Sequence, residues 1–151
     1  LQSIIERITM KKIFFLLFVT AIAVACGQDK AKIKAMEEEA IALHDEVMPE
    51  MGTIIELKGL LKARMAALDT AAIAAIDTTA APVPTEFELV YAALESAEEA
   101  MKGWMHSYEA PDYKKSLEEL EPVMTKQLED IKVVHTAMKK SIADAQAALA
   151  E

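Results

Sequence analysis

The chain has 151 residues, 25 of them acidic and 16 basic, for a formal net charge of −9 at pH 7. That is one domain's worth of sequence, with enough apolar content for a modest core. So acidic a chain argues against nucleic acid or anionic lipid as a partner, because both need a basic surface to replace counterions.

Leu1–Thr9 precede Met10, the one methionine set correctly before a secretory signal, and read as a non-native upstream extension (1–9). Met10–Ala25 then has the order of a signal peptide: Lys11 and Lys12, an apolar run from Ile13, and Ala23-Val24-Ala25 before Cys26. The run is too short for an ordinary membrane-spanning helix, which needs about 20 residues. Ala23-Val24-Ala25-Cys26 resembles the lipobox cut by lipoprotein signal peptidase, so Cys26 is the expected lipidation site. Residues 26–30 would be a lipidated tether and 31–151 the helical domain. The mature chain would have 126 residues and a net charge of −11. Its only cysteine would be spent on the lipid, leaving none for a disulfide, a metal thiolate or a nucleophile. Several acyl chains anchor a protein stably where one does not. Gly27 in place of aspartate resembles outer-membrane sorting signals, so an outer-membrane lipoprotein facing the periplasm is expected.

From Gln28 to about Leu68, apolar residues recur by threes and fours: Ile33, Met36, Ala40, Leu43, Val47, then Met51, Ile54, Leu57, Leu61, Met65 and Leu68. This spacing predicts a helix with one buried face. Pro49 removes a backbone donor within it, which predicts a kink with a small slip of phase. Asp69–Thr85 is built of small residues, with two prolines and Asp69 and Asp77 its only charges, and reads either as a linker or as a short helical extension followed by one. Thr85 and Glu88 have the spacing of a capping box opening a second helix, whose seam is Phe87, Val90, Leu94, Ala97, Met101, Trp104 and Tyr108. Glu95, Glu98, Glu99 and Lys102 fall on what reads as its outer side. Ala110-Pro111-Asp112 is a turn, and Ser116 with Glu119 marks another capping box. The third helix runs to about Leu149, with Leu117, Leu120, Met124, Leu128, Ile131, His135, Met138, Ile142, Ala145 and Leu149 inward and Pro122 as a second kink. Nothing alternates with period two. The expected fold is all-α, an antiparallel up-down-up three-helix bundle with coiled-coil-like seams and proline kinks in helices 1 and 3. One seam per helix also suits pairing with a second copy, a homo-oligomer.

At His44–Gly52 (HDEVMPEMG) and Met101–Tyr113 (MKGWMHSYEAPDY) the chain resembles a family of small, uncharacterised helical lipoproteins of Gram-negative bacteria, often labelled "viral A-type inclusion protein". The resemblance implies a lipid-anchored helical bundle and carries no activity or site residues with it.

Catalytic constellations are missing from the sequence. None of His44, His106 and His135 follows a glutamate by three residues, as a di-iron bundle requires, and there is no His-Glu-x-x-His and no glycine-rich phosphate cradle. The expectation is no enzyme and no obligatory cofactor, with a non-enzymatic role in contact with an unidentified protein partner. Eight methionines in the mature chain, several beside histidine, supply the one alternative. His44, Met48 and Met51 share a helical face and come level with Met101 and Met105 near Trp104, a thioether and imidazole set suited to Cu(I). Were the first helix to reach Ile76 rather than Leu68, that pairing would slide and leave His44 overhanging the bundle end. Methionine as an adaptable core filler explains the same residues more simply. His135 sits on the seam, where a hydroxyl or carboxylate would fix its tautomer and desolvation would favour its neutral form.

Overall fold

A computed structural model describes residues 30–75 and 85–150. The signal, Cys26, the upstream stretch and most of the Pro-containing linker therefore lie outside the described residues. Helix α1 covers 30–47, a 3-10 turn covers Met48–Glu50, and α2 runs Met51–Ala75. Helix α3 spans Glu86–Ser107 and α4 spans Leu117–Ala150. Among the described residues there is no strand, and no helix is long and apolar enough to cross a membrane. The protein is an all-α bundle of three long helical segments.

The helix ends follow their local chemistry. Thr85 caps α3: its hydroxyl accepts the Glu88 N–H at 3.3 Å, and the Glu88 carboxylate takes the Thr85 N–H in return. At α4 the Glu119 carboxylate accepts both the backbone N–H of Ser116 at 3.0 Å and its hydroxyl at 2.8 Å. These two bonds hold the Glu119 carboxyl below its ordinary value. Pro122 does not divide α4, which is helical from Leu117 through Ala150.

Burial follows a strict count of seven. Ile33, Ala40, Val47, Ile54 and Leu61 are all 0–1 % exposed. The count passes through Pro49 without a break, so the expected slip of phase does not occur: the 3-10 turn tightens the backbone locally while Val47 and Ile54 stay on one line. On α4 two such columns are buried side by side, Met124, Ile131, Met138 and Ala145, and Leu120, Gln127, Val134, Ser141 and Ala148. On α3 the columns are Leu94 with Met101, and Ala97 with Trp104. Residues from all four helices close one main cluster, and Ile33, Leu120 and Met124 make a smaller one where α1 meets the start of α4.

Cross-helix pairs give the register. Lys58 and Lys62 lie 5.3 and 5.2 Å from the Tyr91 ring, and Arg64 lies 6.0 Å from Phe87, so numbers rise on α2 as they fall on α3. Lys32 pairs with Glu121, Glu39 with Lys132 at 2.7 Å, and Glu46 with Lys139, so α1 and α4 run the same way. Helix α2 continues for eleven residues after Arg64, about 16 Å, past the level where α3 begins. The helical-extension reading of the stretch after Asp69 thus holds as far as Ala75. The extra length projects at the linker end and leaves the opposite end unshifted, which is why His44 does not overhang.

Glu98 departs from the outward position expected of it. It is only 9 % exposed, in a column with Tyr91 and Met105 that turns toward α2. Its carboxylate sits between Lys58 Nζ, at 2.9 Å, and Lys102. The Lys102 and Lys58 hydrogen bonds hold the Glu98 carboxyl below its ordinary value, and the Glu98 bond raises Lys58.

Candidate functional site

The residues singled out for soft-metal chemistry are brought partly together. His44, on α1, stacks against Trp104 of α3 with ring centroids 5.5 Å apart, and Trp104 meets Tyr108 at 5.0 Å. Met101 is fully buried in the main cluster, and Met51 and Met105 pack against it, half-buried. Met48 stands apart: it lies in the 3-10 turn, 37 % exposed, and is not among the residues packed on the core. His44 turns Nδ1 toward Asp45 Oδ1 at 2.9 Å. A ligand set of all five donors would therefore have to draw Met48 in from the surface. Among the described residues no three His, Cys, Asp or Glu side chains gather into a metal-sized group. Cys26 lies outside the described residues.

What surrounds the indole is a polar lock at the α3 to α4 connection. Trp104 Nε1 donates to the Gln127 carbonyl at 3.0 Å. The Gln127 side-chain amide, oriented to suit its neighbours, accepts the Glu109 N–H at 3.0 Å and donates to the Glu109 carbonyl at 3.2 Å. A buried amide thus pairs both ways with the backbone of the turn, satisfying groups that would be costly to leave unmade. The Tyr108 hydroxyl beside it has no hydrogen-bond partner among the described residues, and burial, with Glu37 nearby, raises its pKa. Sequence reasoning placed Trp104 on the seam and passed over Gln127, whose only signal was its place seven residues after Leu120 and seven before Val134.

His135 is half-buried, as a seam position implies, with its Nε2 3.0 Å from Glu46 Oε2. Lys139 first, and His135 second, hold the Glu46 carboxyl below its ordinary value. The carboxylate expected beside this histidine is therefore present.

Two shallow grooves flank α3. One, between α3 and α4, is lined by Ala100, Gly103, Trp104, Ser107, Asp130, Val133 and Val134, with Val133 69 % exposed. The other, between α2 and α3, has Gly59 in its floor and Ile55, 62 % exposed, on its rim. A methyl group added at Gly59 or Gly103 would meet nothing within 4 Å.

Comparison with known proteins finds no matching family model, no similar curated protein and no similar solved structure. The likeness to helical lipoproteins rests on its own two motifs.

Proposed function

We propose that this is a lipid-anchored helical module of the cell envelope, held through Cys26 at the outer membrane on its periplasmic side, whose role is non-enzymatic contact with a protein partner. The seams are read as coiled-coil packing, which the seven-residue spacing of the buried positions supports.

The observation that carries the interaction reading is Gly103. A glycine inside a helix costs about 1 kcal/mol relative to alanine. The fold of the chain itself has no use for it, since a Cβ there meets open space. It sits in the groove beside the exposed Val133, with Ala100 and Ser107 above and below. Small residues along a helical face let another helix approach closely. A photoreactive residue placed at Ala100 or Ser107 should give a discrete adduct in the envelope, lost on Gly103→Leu, with a control at the exposed Thr136 giving none. An adduct of doubled mass would identify the partner as a second copy. Adducts no stronger than at the control would overturn the reading. The anchor has a separate test: labelled fatty acid should enter the full chain and be lost on Cys26→Ala.

The second reading is a periplasmic Cu(I) binder using His44, Met48, Met51, Met101 and Met105. The stacking of His44 on Trp104, with Met51 and Met105 in the same cluster, favours it.

A further inference from the structure

The groove between α3 and α4 has a projection standing beside it. Val133, at 69 % the most exposed of the large apolar side chains among the described residues, forms its α4 edge, next to the depression over Gly103. A projection and a depression side by side at one level of a bundle fit each other across a twofold axis that runs along the helices. Such an axis carries each residue to the facing side at its own level, so Val133 of each copy enters the other's groove between Ala100 and Gly103. An axis lying across the helices would set Val133 against Val133 and leave both grooves empty.

The charges agree with the first axis. On the α4 side Lys126 pairs with Asp130 and Lys140 with Asp144, each at 2.5 Å, so four ions cancel within their own helix. The α3 side has none to cancel: Ala93, Ser96, Ala100, Gly103 and Ser107 are exposed and uncharged. Setting α4 of one copy on α3 of the other therefore lays closed ion pairs against neutral residues, and like charges do not meet at the contact even though the chain's net charge is −9. The unpaired acids bordering it, Glu99, Glu109 and Glu129, are exposed and fall on its rims, where salt screens them. The area is sufficient. The 22 residues of α3 give about 33 Å of overlap and two helix diameters about 20 Å, a face of roughly 650 Å², near the roughly 800 Å² that a stable interface takes from each partner. The same axis leaves both Lys30 ends at one end of the pair, as two chains held in one membrane through Cys26 require.

We propose that two copies of this chain pair side by side and parallel through this groove, α3 of each against α4 of the other. The pairing rests on the reading of the groove as a contact surface and names its partner.

The test uses processed, lipidated protein in phosphatidylcholine vesicles, with thiols introduced singly at three exposed positions: Val133→Cys, Ala100→Cys and, on α2, Ala63→Cys. Cys26, the chain's own cysteine, is there blocked by its lipid. A disulfide needs Cα atoms within about 7 Å, so diamide should link Val133→Cys chains to Ala100→Cys chains when the two are mixed, and link neither variant to itself. Adding Gly103→Leu to the Ala100→Cys chain should remove the link. Ala63→Cys mixed with Ala100→Cys gives the level of chance collision. Mixed links no stronger than that level would overturn the pairing, and links within Val133→Cys alone would overturn the parallel axis. A discrete photoadduct at Ala100 whose mass is not doubled would keep the groove as a contact surface for another protein and overturn the second copy as its occupant. Neither adduct nor link would overturn both.

Discussion

Lys58 Nζ and Glu98 Oε2 meet at 2.9 Å across the α2–α3 seam, with 17 % and 11 % of their side chains exposed. Lys58 has two carboxylates within reach, Glu98 and Glu95, the latter at 3.5 Å. Replacing Glu98 by Gln leaves a cation half-sheltered with only the more exposed partner. The expected loss is roughly 1–2 kcal/mol, between that of a surface pair and that of a fully buried one. Chemical denaturation reads it directly. The pH dependence follows from the lowered Glu98 carboxyl: its contribution is present above the ordinary value of 4.5 and fades as pH falls through the lower folded value. Glu98→Gln should therefore flatten the acid limb of the stability profile.

Gly103→Ala and Gly59→Ala should each raise the stability of the free protein by up to about 1 kcal/mol, seen as a higher Tm, because the helix gains a better former and nothing is displaced. If Gly103 is kept for close approach of a partner, that gain comes with a weaker adduct in the crosslinking assay.

Gln127→Ala leaves the Glu109 N–H and carbonyl without their buried partner and should cost about 1–3 kcal/mol. Glu129, exposed on the same helix, should tolerate alanine within about 0.5 kcal/mol. Amide hydrogen exchange at Glu109 should speed up in the first variant and not in the second.

The Tyr113 hydroxyl donates to Glu37, and that bond, with some desolvation, pushes the phenol up to about 12 from an ordinary 10. A raised acid contributes stability that is whole below its unfolded pKa and is lost as pH rises through the folded one. The window is therefore roughly pH 10 to 12. Ultraviolet titration should show a late-ionising phenol that disappears in Tyr113→Phe.

Replacing Met51 and Met105 together by leucine should change stability by less than about 1.5 kcal/mol per site if they only fill space. Under anaerobic, reducing conditions with a competing chelator, the packing account expects no retained Cu(I) and unchanged Trp104 fluorescence. Copper that quenches the indole, and is lost with those two substitutions, would favour the soft-metal site instead.

The helices and the Thr85 cap were legible because apolar spacing and the Thr85–Glu88 box are local signals, while of the Ser116 box only the Glu119 half forms, its hydroxyl donating to Glu119 rather than accepting the Glu119 N–H. What escaped was the width of the buried stripe. A helix resting against one neighbour buries a narrow seam, but α3 and α4 each lie between two, so a further column turns inward. Glu98, Gln127 and Ser141 belong to those columns, and a polar residue there looks like surface until the second neighbour is placed. The register of α1 and α2 against α3 was likewise open, since it depends on pairings such as Arg64 with Phe87 that local pattern does not encode. The His44–Trp104 contact became certain only with it.

Strict repetition has a drawback of its own. When buried positions recur every seven residues on each helix, sliding α4 by one repeat, about 10 Å, again sets apolar columns against apolar columns. Hydrophobic burial alone would then leave several alignments nearly degenerate. Gln127 breaks the tie, because a one-repeat slip puts Leu120 or Val134 opposite Glu109 and strands the backbone N–H and carbonyl that its side-chain amide satisfies. A single amide in an otherwise oily column can act as the index mark that makes one alignment the native one, as a lone polar residue does in other heptad assemblies.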